Sequence, residues 1–333
     1  MILNGQGIRE LKLILVEGGI NVAKYLLQRI ASALLVLFLV VSLTFVLMHS
    51  IPGGPFSREK QVPPAVLKNL EERYHTNDPL SKQYIDYMKN VAEFNLGPTF
   101  RYEGRTVNDL IKDGLPKTAT IGFLASIFAL GGGLILGSIA ALWHNKTPDA
   151  VATFIATIGV SVPSFVMATF LQYYLGYKLG LFPPVGWNDG ALKNLVLPSI
   201  ALGAFPLAQI TRLMRTSMLD VLNQDYIRTA KSKGLPGYVI IGRHAMRNAL
   251  LPVITYLGPF FAYILTGNFV VEFVFGIPGI GQFFVTSITN RDYSTIMGMT
   301  VLFCSLLVVF NLLVDIAYTF IDPRIKLTGQ KGA

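Results

Sequence analysis

Charged residues are scarce in this chain. Asp, Glu, Lys and Arg together make up 14% of its 333 residues, whereas apolar residues make up 52%. A soluble globular domain carries about 25% charged residues. The composition therefore excludes an ordinary soluble protein and predicts a protein of the membrane.

Cysteine, histidine and the common catalytic motifs are also scarce or missing. Cys304 is the single cysteine, so an internal disulfide and a cysteine-based metal cluster are excluded. The sequence has four scattered histidines and contains no His-Glu-x-x-His, no Gly-x-Ser-x-Gly and no Gly-x-x-x-x-Gly-Lys-Ser/Thr. We therefore predict no catalytic residue, no metal site and no cofactor in this chain, and expect it to act as a conduit.

Long apolar runs fill much of the sequence. A membrane-crossing helix needs about 20 predominantly apolar residues. We predict an all-α integral membrane protein with six transmembrane helices, at 29–50, 118–143, 150–177, 194–213, 251–275 and 296–320. In the second of these, Gly133 and Gly137 have the small-residue spacing that lets helices approach closely. We expect this spacing to serve packing within the chain rather than contact with another subunit.

Lysine and arginine are unevenly distributed among the predicted loops. The N-terminus, the 144–149 turn, the loop 212–252 and the C-terminal tail hold 15, whereas the short loops 178–193 and 277–295 hold three. The positive-inside rule places both termini and the loop 212–252 in the cytoplasm. Orientation in the membrane also accounts for the net charge of +9 without invoking nucleic acid.

The predicted spans divide the chain into five parts. These are an N-terminal extension (1–24), a first transmembrane helix (25–50), an extracytoplasmic loop (51–117), a five-helix core (118–320) and a cytoplasmic tail (321–333). For residues 1–21 we favour the hypothesis that translation starts at Val22, because codons for Glu17-Gly18-Gly19 can spell a ribosome-binding sequence. Peptides from residues 1–21 in the native protein would exclude that start.

The loop 212–252, called the coupling loop below, is the most informative polar stretch. It holds seven Lys/Arg and two acids in the sequence RLMRTSMLDVLNQDYIRTAKSKGLPGYVIIGRHAMRNALLP. A helical pattern is followed by a Gly-Leu-Pro-Gly break and a second helical pattern. This organisation is typical of a surface element that another protein binds.

The coupling loop resembles the cytoplasmic loop of binding-protein-dependent ABC importer permeases. The general motif of that family is Glu-Ala-Ala, three residues and Gly. Ala230 and Gly234 keep this spacing, but Arg228 and Thr229 replace the Glu and the first Ala. The departure matches the peptide-transporter branch, and the resemblance covers about residues 22–328. Further stretches that are similar to this branch are 25–29 with 51–55, 271–281 with 291–293, and 311–315 with 322–324.

The resemblance implies a type I ABC importer permease in a bacterial inner membrane, of the B-type oligopeptide or dipeptide kind. Residues 52–57 and 95–100 are similar to the oligopeptide subgroup. The implied partners are a second homologous permease, two ATPases that bind ATP and Mg, an extracytoplasmic peptide-binding protein and membrane lipid. A coupling helix near 218–230, stopped by Gly234, would dock on an ATPase. The implied coupling residues are Asp220, Asp225, Arg228, Ala230, Lys231 and Gly234.

Two acids lie within or at the edge of predicted spans, where a charge is costly unless it is paired or hydrated. Asp315 is expected to be structural. Glu272 precedes a Gly-Ile-Pro-Gly-Ile-Gly break, and it either lines an outer vestibule or bonds to a neighbouring helix. The candidate path or gate residues are Asn268, Glu272, Gly276, Pro278 and Gly279.

Two alternative functions remain open from the sequence. One is a permease of the same family for glutathione, a nickel chelate or another small ligand. The other is a secondary transporter that works without ATP. The coupling loop and the lack of a membrane-buried proton or ion relay argue against the second alternative.

Overall fold

The computed structural model describes residues 5–52, 68–69, 72, 76–265 and 269–321. Side chains are described from residue 27 onward, except at 262, 265 and 314–321. The described residues form helices joined by turns, with one isolated bridge between Pro98 and Thr106. The main helices are α1 (Gly5–Ser50), α2 (Leu80–Ala92), α3 (Val107–Leu142), α4 (Thr147–Ser161), α5 (Ser164–Leu171), α6 (Leu192–Leu222), α7 (Asp225–Ser232), α8 (Leu251–Leu265), α9 (Phe269–Phe275), α10 (Ile280–Thr289) and α11 (Tyr293–Ile321).

The apolar helices largely follow the predicted spans. Within the described residues, four helices are long and apolar enough to cross a membrane, and the number reaches six if each of two bent pairs is one span. The predicted spans at 29–50, 194–213 and 296–320 fall within α1, α6 and α11. The helical, membrane-type architecture expected from the composition is therefore confirmed.

One predicted span is bent in the structure, and another is followed by a bend. The span predicted at 150–177 consists of α4 and a second helix, Ser164–Lys178, that bends away by 108°. Pro163 lies at this break, where it cannot donate a backbone hydrogen bond. The span predicted at 251–275 is described as α8 and α9, with residues 266–268 between them outside the described residues, and α9 turns by 88° into α10 just beyond the predicted span.

The second span begins earlier than predicted, at Val107 rather than at 118. Thr106 and Asp109 form a capping box, in which the Thr106 hydroxyl accepts from the Asp109 N–H and the Asp109 carboxylate accepts from the Thr106 N–H. This local signal starts α3 inside the stretch that we assigned to the extracytoplasmic loop. The predicted boundary missed it because apolar content alone marks where lipid begins, not where a helix begins.

Helices α3 and α6 pack closely against each other, and glycine makes this approach possible. A Cβ atom at Gly137 would lie 2.6 Å from the Thr211 carbonyl oxygen, and one at Gly133 would lie 2.8 Å from the Ile210 side chain. The prediction that these small residues serve packing within the chain is confirmed. The α3–α6 pair forms the centre of the fold, because Ile210 and Met214 are fully buried there.

Candidate functional site

The coupling loop contains a short helix, but its bounds differ from those predicted. Helix α6 continues to Leu222, and the separate helix α7 covers Asp225–Ser232. The helix predicted near 218–230 is therefore wrong in its first half, because the apolar pattern of 212–222 belongs to the end of α6. Asp220 consequently lies at the end of α6, and Asp225 is the acid in the first turn of α7.

Gly234 follows the end of α7 in a left-handed conformation, with φ of +72°. The Gly234 N–H bonds to the Lys231 carbonyl at 3.0 Å, and the Leu235 N–H bonds to the Ala230 carbonyl at 3.3 Å. These bonds satisfy carbonyls at the helix end, in a geometry that glycine adopts without steric cost. The structure thus places a helix stop at Gly234, as the sequence predicts.

One face of α7 is anchored to the rest of the coupling loop. Ile227 is fully buried and Ala230 is 6% exposed, in one apolar cluster with Ile240 of the helical segment 237–249. The Asn248 side chain donates a hydrogen bond of 2.7 Å to the Tyr226 hydroxyl. Helix α7 is therefore packed against the rest of the coupling loop. Ala230 contributes to this packing contact and does not lie on the outer surface.

The opposite face of α7 is exposed and carries charge. Asp225, Arg228 and Lys231 are exposed, and Arg228 lies 3.6 Å from Asp225 in a solvent-accessible ion pair. Such a pair contributes little to stability. Beyond the helix, Tyr238 is 79% exposed on the same loop. The exposed face of α7, called the docking face below, comprises Asp225, Arg228, Thr229 and Lys231.

An ion pair with a buried carboxylate joins α4 to α6. The Asp149 carboxylate is 5% exposed and accepts from the Arg215 guanidinium at 2.7 and 2.8 Å. It also accepts from the Asn145 N–H at 2.9 Å, and the His144 ring lies 3.1 Å away. The sequence prediction missed Asp149, since its partner lies 66 residues along the chain. The local sign of its role was that Asp149 lies in the first turn of α4, where a helix favours an acid.

Glu272 is buried and bonds to two neighbouring helices. Its Oε1 accepts from the Thr118 hydroxyl of α3 at 2.6 Å, and that hydroxyl accepts from the Ile280 N–H at 3.0 Å. Its Oε2 accepts from the N–H groups of Gly281 at 2.8 Å and Gln282 at 3.2 Å. One carboxylate thus accepts hydrogen bonds from two N–H groups in the first turn of α10 and links this turn to α3. Of the two roles left open for Glu272, the described contacts support the structural bond.

The glycines after Glu272 allow this arrangement. A Cβ atom at Gly279 would lie 2.3 Å from Glu272 Oε2, and one at Gly281 would lie 2.6 Å from the Phe269 Cα. Gly276 has φ of +63° at the end of α9. Gly276, Pro278 and Gly279 therefore form the turn of a bent helix pair. Asn268 lies outside the described residues, and so does the side chain of Asp315.

The chain matches family models over most of its length. Residues 133–327 match the model described as "Binding-protein-dependent transport system inner membrane component". Residues 22–122 match the companion model for the N-terminal part of such membrane components. The two matches together include the coupling loop, the bent pair α9–α10 and both ends of α3.

Curated relatives cover nearly the whole chain. It is 47% identical over 310 residues to the dipeptide transport system permease protein DppB of Bacillus subtilis, covering 93% of this chain and 100% of that protein. It is 44% identical over 303 residues to the oligopeptide transport system permease protein OppB of Haemophilus influenzae, covering 91% and 99%. The corresponding protein of Escherichia coli K12 is 43% identical over 303 residues, with the same coverage.

A solved structure shares the fold at low sequence identity. It is the crystal structure of an amino acid ABC transporter with histidines. The TM-score is 0.51 and the sequence identity is 18%, and the match covers 63% of this chain and 93% of that chain. This likeness supports the ABC importer permease fold and nothing finer. From the family models and the curated relatives, the chain belongs to the binding-protein-dependent transport system inner membrane components, the multi-pass permeases of ABC importers.

Proposed function

We propose that this chain imports short peptides as one of two homologous permeases in an ATP-driven transporter. Two ATPases would bind its cytoplasmic side, and an extracytoplasmic peptide-binding protein would deliver the substrate. The observation that carries the proposal is the docking face, an exposed charged surface on a helix that is packed firmly into the protein. The names of the dipeptide and oligopeptide relatives support peptide as the substrate.

The contacts of α7 indicate how a movement of the ATPases would be transmitted to the membrane helices. Ile227 and Ala230 join α7 to the helical segment 237–249, which leads directly into α8. At its other end α7 follows α6 after a two-residue turn, and α6 packs along α3. A displacement of α7 by a closing ATPase would therefore move two membrane helices at once. Packed interiors transmit such displacements because they have low compressibility.

The orientation of the chain is part of the proposal. The excess of Lys and Arg in the coupling loop supports a cytoplasmic position for that loop and for both termini. ATP and Mg would then bind only in the partner ATPases, and this chain would carry out no covalent step. The N-terminal turn of α3, the turn at 276–279 and the loop 290–292 would face the opposite side.

Uptake by a reconstituted complex tests the proposal. Proteoliposomes would contain this chain, its partner permease and both ATPases, with the peptide-binding protein outside and ATP inside. We expect uptake of labelled dipeptides to pentapeptides that needs both ATP and the binding protein. Uptake without ATP would support a secondary transporter, whereas selective uptake of glutathione or a nickel chelate would support another branch of the family.

The docking face has its own test within the same assay. Arg228→Glu reverses a charge on an exposed side chain, so it should leave folding intact. We expect ATP-driven uptake to fall about tenfold, because reversing a charge in an interface replaces an attraction by a repulsion. Lys146→Glu, a charge reversal in the turn before α4, is the matched control and should retain most of the uptake.

A further inference from the structure

Helix α6 leaves one narrow side of its surface uncovered. Between residues 194 and 220 its exposed side chains are Phe205, Arg212, Thr216 and Asp220, and Gln209 is partly exposed among them. Successive residues of an α-helix are about 100° apart, so these five positions fall within about 80° of one face. The part of this face that is formed by Gln209, Arg212 and Thr216 is called the polar strip below.

The other sides of α6 are covered by helices of the same chain. Helix α3 packs along one side, and α4 covers another, where a Cβ atom at Gly159 would lie 2.7 Å from the Ala204 carbonyl oxygen. Helix α8 borders the uncovered face, because the rings of Phe205 and Tyr263 have their centres 6.0 Å apart. The polar strip is therefore the side of a central helix that only a molecule outside the chain can cover.

The polar strip lies at the depth of the apolar helices. Gly137 of α3 lies against the backbone of Thr211, next to Arg212, and α3 continues to Leu142. Arg212 is therefore about 8 Å inside the end of α3, measured along the helix axis. Among the described residues, its guanidinium forms no hydrogen bond or ion pair. A charge at this depth is costly in lipid unless it faces water or a partner.

The surfaces of this chain that suit lipid have a different composition. The exposed face of α3 carries large apolar side chains at Phe123, Ile127 and Ile135. The large exposed side chains of α1 are leucine, isoleucine, valine and phenylalanine. The polar strip instead presents an amide, a guanidinium and a hydroxyl, which favour water over hydrocarbon. The contrast indicates that the strip faces an aqueous space within the membrane.

On the basis of the function proposed above, we propose that the polar strip lines the aqueous path of the peptide and that Arg212 binds the carboxylate of the passing peptide. A peptide with a free C-terminus carries this carboxylate whatever its sequence, and a guanidinium donates charge-assisted hydrogen bonds to it. Because Arg212 is exposed, the contact is weak, as a group that must release its ligand requires. Gln209 and Thr216 supply uncharged hydrogen-bonding groups on either side.

Cysteine accessibility tests whether the polar strip faces water. Gln209→Cys and Thr216→Cys are made singly in a Cys304→Ser background, and the full complex is treated in proteoliposomes with a charged methanethiosulfonate reagent on both sides. This reagent needs a thiolate, which lipid disfavours, so we expect labelling at least about tenfold faster than for Ile135→Cys on the apolar face of α3. Equal rates, or a cross-link to the partner permease without labelling, would overturn the proposal.

A photoreactive peptide tests the role of Arg212. The probe is a tripeptide, Ala-Ala-photoleucine, with a free C-terminus, and it is illuminated during ATP-driven uptake by the complex. We expect adducts within residues 205–216, reduced about tenfold by Arg212→Gln and retained by Arg212→Lys, which keeps the charge.

The outcomes separate this inference from the proposed function. An equal adduct yield in Arg212→Gln would overturn the role of Arg212, and uptake of the tripeptide without adducts in 205–216 would overturn the strip as part of the path. A complex that imports no peptide would contradict the proposed function, whereas the accessibility of the polar strip is measured without any peptide.

Discussion

Thr118 and Glu272 show how a single buried carboxylate can organise a broken membrane helix. The Thr118 hydroxyl lies between Glu272 and the first N–H of α10, so one side chain of α3 completes the turn at 276–279. A buried charge costs several kcal/mol unless hydrogen bonds satisfy it. Helix α10 supplies two backbone donors at its N-terminus, where the helix dipole also favours an anion.

This arrangement predicts a specific effect of removing one hydroxyl. Thr118→Val keeps the shape of the side chain but leaves a Glu272 oxygen and the Ile280 N–H unpaired, which should cost about 2 kcal/mol. Thermal unfolding of the assembled complex measures the loss. Thr120→Val is the control, because the Thr120 hydroxyl is exposed and bonds only to its own helix. A control variant that is equally destabilised would contradict the role of Thr118.

The Asp149–Arg215 pair gives a second prediction for single residues. Asp149→Asn removes the buried charge that faces the partly exposed Arg215 guanidinium, which should destabilise the α4–α6 contact by about 2 kcal/mol. We expect a lower midpoint of thermal unfolding and a loss of uptake at elevated temperature. Asp189→Asn, at an exposed position, should change neither. An unchanged midpoint for Asp149→Asn would show that the pair contributes nothing.

Among the secondary-structure elements, α7 makes the clearest prediction. Gly234→Leu places a side chain at φ of +72°, which costs about 1–2 kcal/mol and favours a different path after α7. No atom lies within 4 Å of the added Cβ, so the effect acts through the backbone alone. We expect normal membrane insertion but no transport-coupled ATPase activity in the complex. Gly237→Leu, equally open and without a positive φ, should keep this activity, and full activity of Gly234→Leu would refute the role of the helix stop.

The elements also show which features a sequence reveals. The left-handed stop at Gly234 and the close packing at Gly133 were predictable, because glycine is favoured where no other side chain fits. The start of α7 was not, since the helical pattern of 212–222 runs on without a break before Asn223. The partners of Glu272 and Asp149 depend on contacts between distant segments, which no local pattern specifies. The bend between α9 and α10 was visible only as a glycine-rich motif, without its direction.

For the whole molecule, the orientation in the membrane is the main prediction. Cys304 is the single cysteine, so a Cys304→Ser background allows single cysteines to be placed at chosen sites. We expect cysteines at 146 and 233 to react with a membrane-impermeant maleimide only from the cytoplasmic side. Cysteines at 104 and 190 should react only from outside. The reverse pattern would contradict the positive-inside assignment on which the position of the coupling loop depends.

The central claim is that the docking face of α7 contacts the ATPase. A photo-cross-linking amino acid at position 228 of the assembled complex tests it most directly, with position 146 as a control in another loop of the same predicted side. The account predicts a cross-link from position 228 to an ATPase subunit, stronger than that from 146, whose yield changes when ATP binds. A complex that transports peptide but gives no cross-link from 228, or an equal one from 146, would contradict it.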